Sequence, residues 1–176
     1  MGDGDEATET EPPATRGPIE GSLRRLFASK DTYLLTRFAL LRLLGVVYLV
    51  AFVVIVVQWR PLLGHGGLMP ADAFVDRCAR SFESRGACFW RAPSIFWLVH
   101  PADNVVIALA WVGVVLSTAV VLGATNALVQ LALWALYLSF VHVGQTFYGY
   151  GWETQLCETG FLAVFLCPVR SIGPLP

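Results

Sequence analysis

Val141-His-Val-Gly-Gln-Thr-Phe-Tyr-Gly-Tyr-Gly-Trp-Glu-Thr-Gln-Leu-Cys-Glu-Thr-Gly160, leading straight into the apolar run Phe161 to Pro168, decides how this chain is read. Here the polar and ionisable side chains His142, Gln145, Glu153, Gln155 and Glu158 crowd against long apolar segments. Upstream, no Asp, Glu, Lys or Arg occurs between Asp103 and Glu153, and a second uncharged run separates Arg42 from Arg60. Mostly apolar, uncharged runs of about 18 residues or more are candidate membrane helices. The chain is 56% apolar and 14% charged, whereas soluble domains carry about 25% charged residues. The composition therefore predicts an all-α integral membrane protein.

Outward from that stretch, the pattern predicts a bundle of about four transmembrane helices over residues 38–58, 105–122, 127–143 and 154–168. The last is short, covering about 22 Å of a hydrocarbon core roughly 30 Å thick. Small residues on the second span (Ala110, Gly113, Ser117) suit the close backbone approach by which membrane helices pack. Residues 1–30 read as a disordered arm that turns basic at Arg24, Arg25 and Lys30, without the apolar core of a signal peptide. Trp59 and Arg60 mark the far end of the first span, and Arg42 is placed to snorkel. The 60–103 loop is partly helical. An amphipathic helix is expected over Ala71–Arg85, with Phe74, Cys78 and Phe82 opposed by Asp72, Asp76, Arg80 and Glu83. Pro93–Pro101 is too short to span and reads as interfacial. Residues 31–170 thus form the membrane domain and 171–176 a tail.

Orientation follows the basic residues. Arg16, Arg24, Arg25, Lys30, Arg37, Arg42 and Arg170 fall on one side, and Arg60, Arg77, Arg80, Arg85 and Arg91 on the other. The dense cluster before the first helix predicts a cytosolic N-terminus, with the 60–103 loop on the luminal side.

A carboxylate inside membrane-grade sequence is costly and is a functional-site candidate by default. Glu153 reads as a first-turn residue near the headgroups, where negative charge suits a helix N-terminus. Glu158, with Thr154 and Gln155 one turn back, reads as a buried polar cluster, either structural or catalytic. His142 and Gln145 share a face at the end of the third span. The three histidines, His65, His100 and His142, lack metal-ligand spacing, so no metal or other cofactor is expected. A local disulfide between Cys78 and Cys88 is reasonable in an oxidising lumen, whereas Cys157 and Cys167 lie about 15 Å apart along one helix and cannot pair. No basic stripe with interleaved aromatics supports nucleic-acid binding.

Leu136-Tyr-Leu-Ser-Phe-Val-His-Val-Gly-Gln-Thr-Phe147 and Tyr150-Gly-Trp-Glu-Thr-Gln-Leu-Cys-Glu-Thr-Gly-Phe-Leu162 resemble the lipase maturation factor family. Tyr33–Phe38, Pro61–Gly64, Gly67–Ala71 and Pro93–Leu98 extend the resemblance across residues 31–170. It marks His142, Gln145, Gly151, Trp152, Glu153, Gln155, Glu158, Thr159 and Gly160 as family-motif positions. It implies a non-catalytic, multi-pass endoplasmic reticulum membrane factor for the folding and assembly of secreted clients, especially lipases. His142 departs from the family, which commonly has Asn there. Family members also continue into further membrane segments and a large luminal domain, so the tail at 171–176 reads as truncated. The alternative is a membrane enzyme distantly like the vitamin K-dependent carboxylase membrane domain. That reading requires His142, Glu153 and Glu158 to line one cavity.

Overall fold

The computed structural model describes residues 30–81, 88–90 and 92–167. The expected N-terminal arm up to residue 29, Phe82 to Gly86 of the loop, and the tail from Pro168 lie outside the described residues. The chain divides into Met1–Leu35 and Thr36–Pro176, and the architecture below belongs to the second unit. Among the described residues it is wholly helical: α1 (Lys30–Leu63), α2 (Ala71–Ser81), a 3-10 turn at Ile95–Trp97, α3 (Asp103–Leu122), α4 (Ala127–Val143), a 3-10 turn at Gln145–Tyr148, and α5 (Gly151–Leu166).

Two helical segments are long and apolar enough to cross a membrane: Leu35–Leu63 of α1 and Asp103–Leu122. α4 and α5 are shorter, with 17 and 16 residues. A core helix of a soluble protein would be mostly buried, yet only 28% of the most apolar window of α3 is. Its outer side exposes Trp111, Val112, Val115 and Leu122. A contiguous apolar exterior of this kind suits lipid.

α1 runs past its expected end at Trp59 and Arg60, and through Pro61, because Trp59 and Leu63 in that last stretch are both buried. Burying them outweighs the hydrogen bond that Pro61 cannot donate. The chain then folds back, with Leu68 and Met69 amides donating to the Pro61 and Leu62 carbonyls. A side chain at Gly67 would stand 2.9 Å from the Leu62 carbonyl oxygen, so this turn needs glycine. The buried side of α1 is Leu41, Leu44, Tyr48, Ala51, Phe52, Ile55, Trp59 and Leu63, at helical spacing.

Antiparallel order is fixed at both ends of the bundle. Trp59, near the end of α1, donates to Asp103 at the start of α3. At the opposite end Arg42 donates to the Leu122 carbonyl, at the C-terminus of α3. Gly123 stops α3 in the left-handed conformation (φ 109°), and the Asn126 side chain caps α4 by accepting from the Leu128 amide. α4 is the central helix, packed against both α3 and α5.

α1 meets its neighbours through large side chains. Phe52 lies against Gly113 of α3 so closely that a methyl there would overlap its ring. A run of aromatic contacts links Tyr48, Phe52, Tyr137, Phe140, Trp59 and Phe96, with ring centroids 5.5–6.5 Å apart. Such pairs add roughly 0.5–1.5 kcal/mol each beyond their burial. Phe96 reaches this stack because Ser94 and Ile95 are tied to Ser139 of α4: Ser94 Oγ donates to the Ser139 carbonyl and the Ile95 amide to Ser139 Oγ.

Candidate functional site

The motif positions fall where α4 turns into α5. Gly144 ends α4, and the Tyr148 ring lies over it with no room for a side chain. Gln145 follows in the left-handed region (φ 51°), unusual for a non-glycine residue. Its side chain supplies a reason: Gln145 Nε2 donates to the Met69 carbonyl at 3.2 Å, tying the junction to the fold-back after α1. His142, one turn earlier, is half-buried, its ring beside the Pro93 and Leu138 carbonyls.

α5 begins at Gly151, three residues before the expected start. Its inward side is Glu153, Leu156, Cys157, Gly160 and Ala163. Small residues set this phase: the Tyr48 hydroxyl of α1 rests against Gly160, where a Cβ would collide with it. Glu153 lies in the first turn of α5, as expected, and its side chain is buried, 2% exposed. Five residues on, a rotation of about 140° turns Glu158 to the outside. Thr154, Gln155 and Thr159 are exposed with it. The expected buried cluster around Glu158 is therefore not formed. The helix prefers to bury Gly160 and Ala163, whose size permits close packing, and the wider polar residues take the other side.

Around Glu153 the structure gathers Tyr137 of α4, Tyr148 of the turn and Cys157, of which only the cysteine was singled out from the sequence, and for another reason. Tyr48 and Tyr137 meet edge to face at 5.7 Å. The Tyr48 hydroxyl, the Tyr137 hydroxyl and Glu153 Oε2 are buried without a hydrogen-bond partner among the described residues. Tyr148, outside the helices, is pushed up to about 12, by burial first and by Glu153 second. This inner cluster draws on α1, α4, the turn and α5, and only Glu153 and Gly160 among its members were motif positions. Membrane helices that are apolar all round give no period from which Tyr48 and Tyr137 could have been picked out.

Glu153 and Glu158 thus occupy opposite sides of one helix, and the three side chains required by the enzyme alternative do not line one cavity. Gly151 and Trp152 are exposed at the start of α5. No set of three His, Cys, Asp or Glu residues among those described is arranged to hold a metal.

A second polar cleft, about 420 Å³, lies at the loop end of the bundle between His65, Asp72, His100, Asp103 and Asn104. Asp103 accepts from the Trp59 indole and the His65 amide, while His65 Nδ1 pairs with Asp72. Hydrogen bonding to Asp72, reinforced by its charge, raises His65 above the ordinary 6.5, and His65 lowers Asp72 below 3.8. In the same loop Cys88 Sγ donates to the Cys78 carbonyl at 3.6 Å, and both cysteines are free thiols.

The family model for the lipase maturation factor transmembrane domain matches residues 35–175. Lipase maturation factor 1 of Bos taurus is 41% identical over 180 residues, covering 99% of this chain and 32% of the relative. The Homo sapiens protein of that name is 40% identical over 177 residues, covering 98% of this chain and 31% of its own length. Lipase maturation factor 2 of Xenopus tropicalis is 34% identical over 148 residues, covering 78% of the chain and 20% of the relative. The chain spans about a third of the length of the type 1 relatives it matches. No solved structure matches it significantly.

Proposed function

Because this chain belongs to the lipase maturation factor family, we propose that it serves as a multi-pass endoplasmic reticulum membrane factor in the maturation of secreted lipases and other secretory clients. The match across nearly the whole bundle carries the reading. The architecture agrees with it: at one end of the helices Gln145–Met69 ties the irregular segments 144–150 and 64–70 to each other, Ser94–Ser139 ties the segment 92–102 to α4, and Trp59–Asp103 ties α1 to α3. In this reading α1, α3, α4 and α5 all cross the bilayer, the N-terminus is cytosolic, and the tied end faces the lumen. Arg42, donating to Leu122 at the opposite end, lies on the cytosolic side.

The bundle acts by holding that luminal end in shape, with client contact made on the luminal side. Lipids surround it, and no catalytic residue is assigned. Glu153, Gln145 and Gly160 are positioning residues of the scaffold. In an oxidising lumen the neighbouring Cys78 and Cys88 are the pair that would join.

The test is replacement. In cells lacking lipase maturation factor 1, a chimera carrying residues 35–167 of this chain in place of the matching segment of the bovine protein should restore secreted lipase activity. A chimera that inserts and accumulates normally yet restores none would overturn the reading.

A further inference from the structure

Membrane helices bury polar groups and expose apolar ones, and α5 breaks that rule over half its length. Thr154, Gln155 and Glu158 share one outward stripe at helical spacing, with Thr159 beside it. Below them the exterior becomes apolar at Phe161, Leu162 and Phe165, which are 43%, 64% and 74% exposed. Glu158 lies seven residues into α5, about 10 Å along the axis. An ionised carboxylate at such depth is among the most costly groups to leave against lipid. Among the described residues Glu158 makes no ion pair, and from Ala92 to Val169 the chain has no Lys or Arg. Arg37 of α1 lies beside Cys167, nine residues further along and about 13 Å from the level of Glu158. Arg42 is committed at the other end of the bundle.

The stripe also has the wrong chemistry for a second copy of itself. Two identical stripes in register would bring Glu158 against Glu158. A carboxylate flanked by an amide and hydroxyls is suited instead to a guanidinium or ammonium. The type 1 relatives are about three times as long as the part this chain matches, so the family's full-length proteins contain other sequence able to supply one.

We propose that the outward stripe Thr154–Gln155–Glu158 docks a membrane-spanning helix that presents one Arg or Lys about 10 Å below the loop end of the bundle, and that this helix comes from the portion of full-length family members beyond the present match. Glu158 supplies specificity: a helix with Leu at that level leaves the carboxylate unpaired, and one with an acid repels it. Glu153, on the opposite side, makes no part of this surface.

The proposal rests on reading α5 as a membrane span, and the experiment separates the two. This chain and the remaining two-thirds of bovine lipase maturation factor 1 are co-expressed as separate polypeptides, and their association is measured by co-purification from mild detergent. Association should fall at least tenfold with Glu158→Lys and several-fold with Glu158→Leu. One basic-to-Glu change in the added part should restore binding to Glu158→Lys. Association that ignores residue 158, or that no charge exchange restores, overturns the docking site. So does self-association of this chain that requires Glu158. In parallel, Glu158→Cys in a chain lacking its other cysteines is treated with a membrane-impermeant maleimide. Protection of residue 158 upholds the span, whereas labelling as rapid as at Trp152→Cys overturns the span itself.

Discussion

The exteriors of α3 and α5 teach different things about what lies outside this bundle. α3 turns Val106, Ala110, Gly113, Ser117 and Val120 inward and leaves Trp111, Val112, Val115 and Leu122 outside. Its polar inward side chain is satisfied, Ser117 Oγ donating to the Gly113 carbonyl. α5 turns Glu153, Leu156, Cys157, Gly160 and Ala163 inward and exposes Thr154, Gln155, Glu158 and Thr159. One exterior is apolar beyond its first turn, while the other carries an exposed polar stripe. The inner sides differ too, since α5 buries a carboxylate and packs its glycine beneath a hydroxyl.

The inner side of α5 should be the least tolerant of change. Gly160→Leu drives a side chain into Tyr48 and should cost about 3 kcal/mol, read as lost folded fraction on detergent titration. Gly160→Ala should also be costly, but less so in a Tyr48→Phe background, because the hydroxyl is the nearest obstacle. Additive effects in that double-mutant cycle would show that the two helices do not meet there. By contrast Val115→Leu on the outside of α3 should leave stability within about 0.5 kcal/mol.

Gln145 comes next. Gln145→Ala removes the tie to Met69 while keeping the left-handed backbone, and should cost roughly 1–2 kcal/mol. Gln145→Gly loses the same tie but relieves the backbone and should cost less. The reverse ranking would mean that the side chain does not hold this turn. Tyr48→Phe alone removes an unpartnered buried hydroxyl and should change stability by less than about 1 kcal/mol.

The smallest effect is at the His65–Asp72 pair, which is largely in solvent. Asp72 contributes above its ordinary 3.8 and loses that contribution as pH falls through its lowered value; His65 contributes below 6.5 and loses it as pH rises through its raised one. His100 and Asp103 face the same cleft and act on the pair. Amide protection factors at Gly64–Met69, corrected for intrinsic exchange, should therefore be greatest between those limits, and His65→Ala should flatten the profile.

Much of the helix layout was legible because it depends on composition and punctuation. Gly123 and Asn126 bracket the α3–α4 turn as expected, and α4 occupies 127–143. Rotation about each helix axis was not legible. α1 is apolar on every side, so nothing in its sequence announces that Tyr48 and Phe52 face inward and Val46, Val50 and Val53 outward. Glu158 was assigned the wrong side for a related reason. In water, burying a polar residue needs an explanation, so the acid in the more apolar surroundings was placed inside. In a membrane bundle the small residues, Gly160 and Ala163, set the phase, and they carry Glu153 with them. The ties from Gln145 to Met69 and from Trp59 to Asp103 join residues 76 and 44 positions apart, which no local pattern encodes.

Cross-linking between α1 and α5 tests that rotation most directly. In a chain stripped of its native cysteines, Tyr48→Cys paired with Gly160→Cys should be closed by a short bifunctional thiol cross-linker, since the contact is made by the tip of Tyr48 and the lost length of that side chain is too great for a direct disulfide to span. Tyr48→Cys paired with Glu158→Cys should not. Efficient closure of the second pair and none of the first would place Glu158 inside, and the division of α5 into a packed side and a docking side would be wrong.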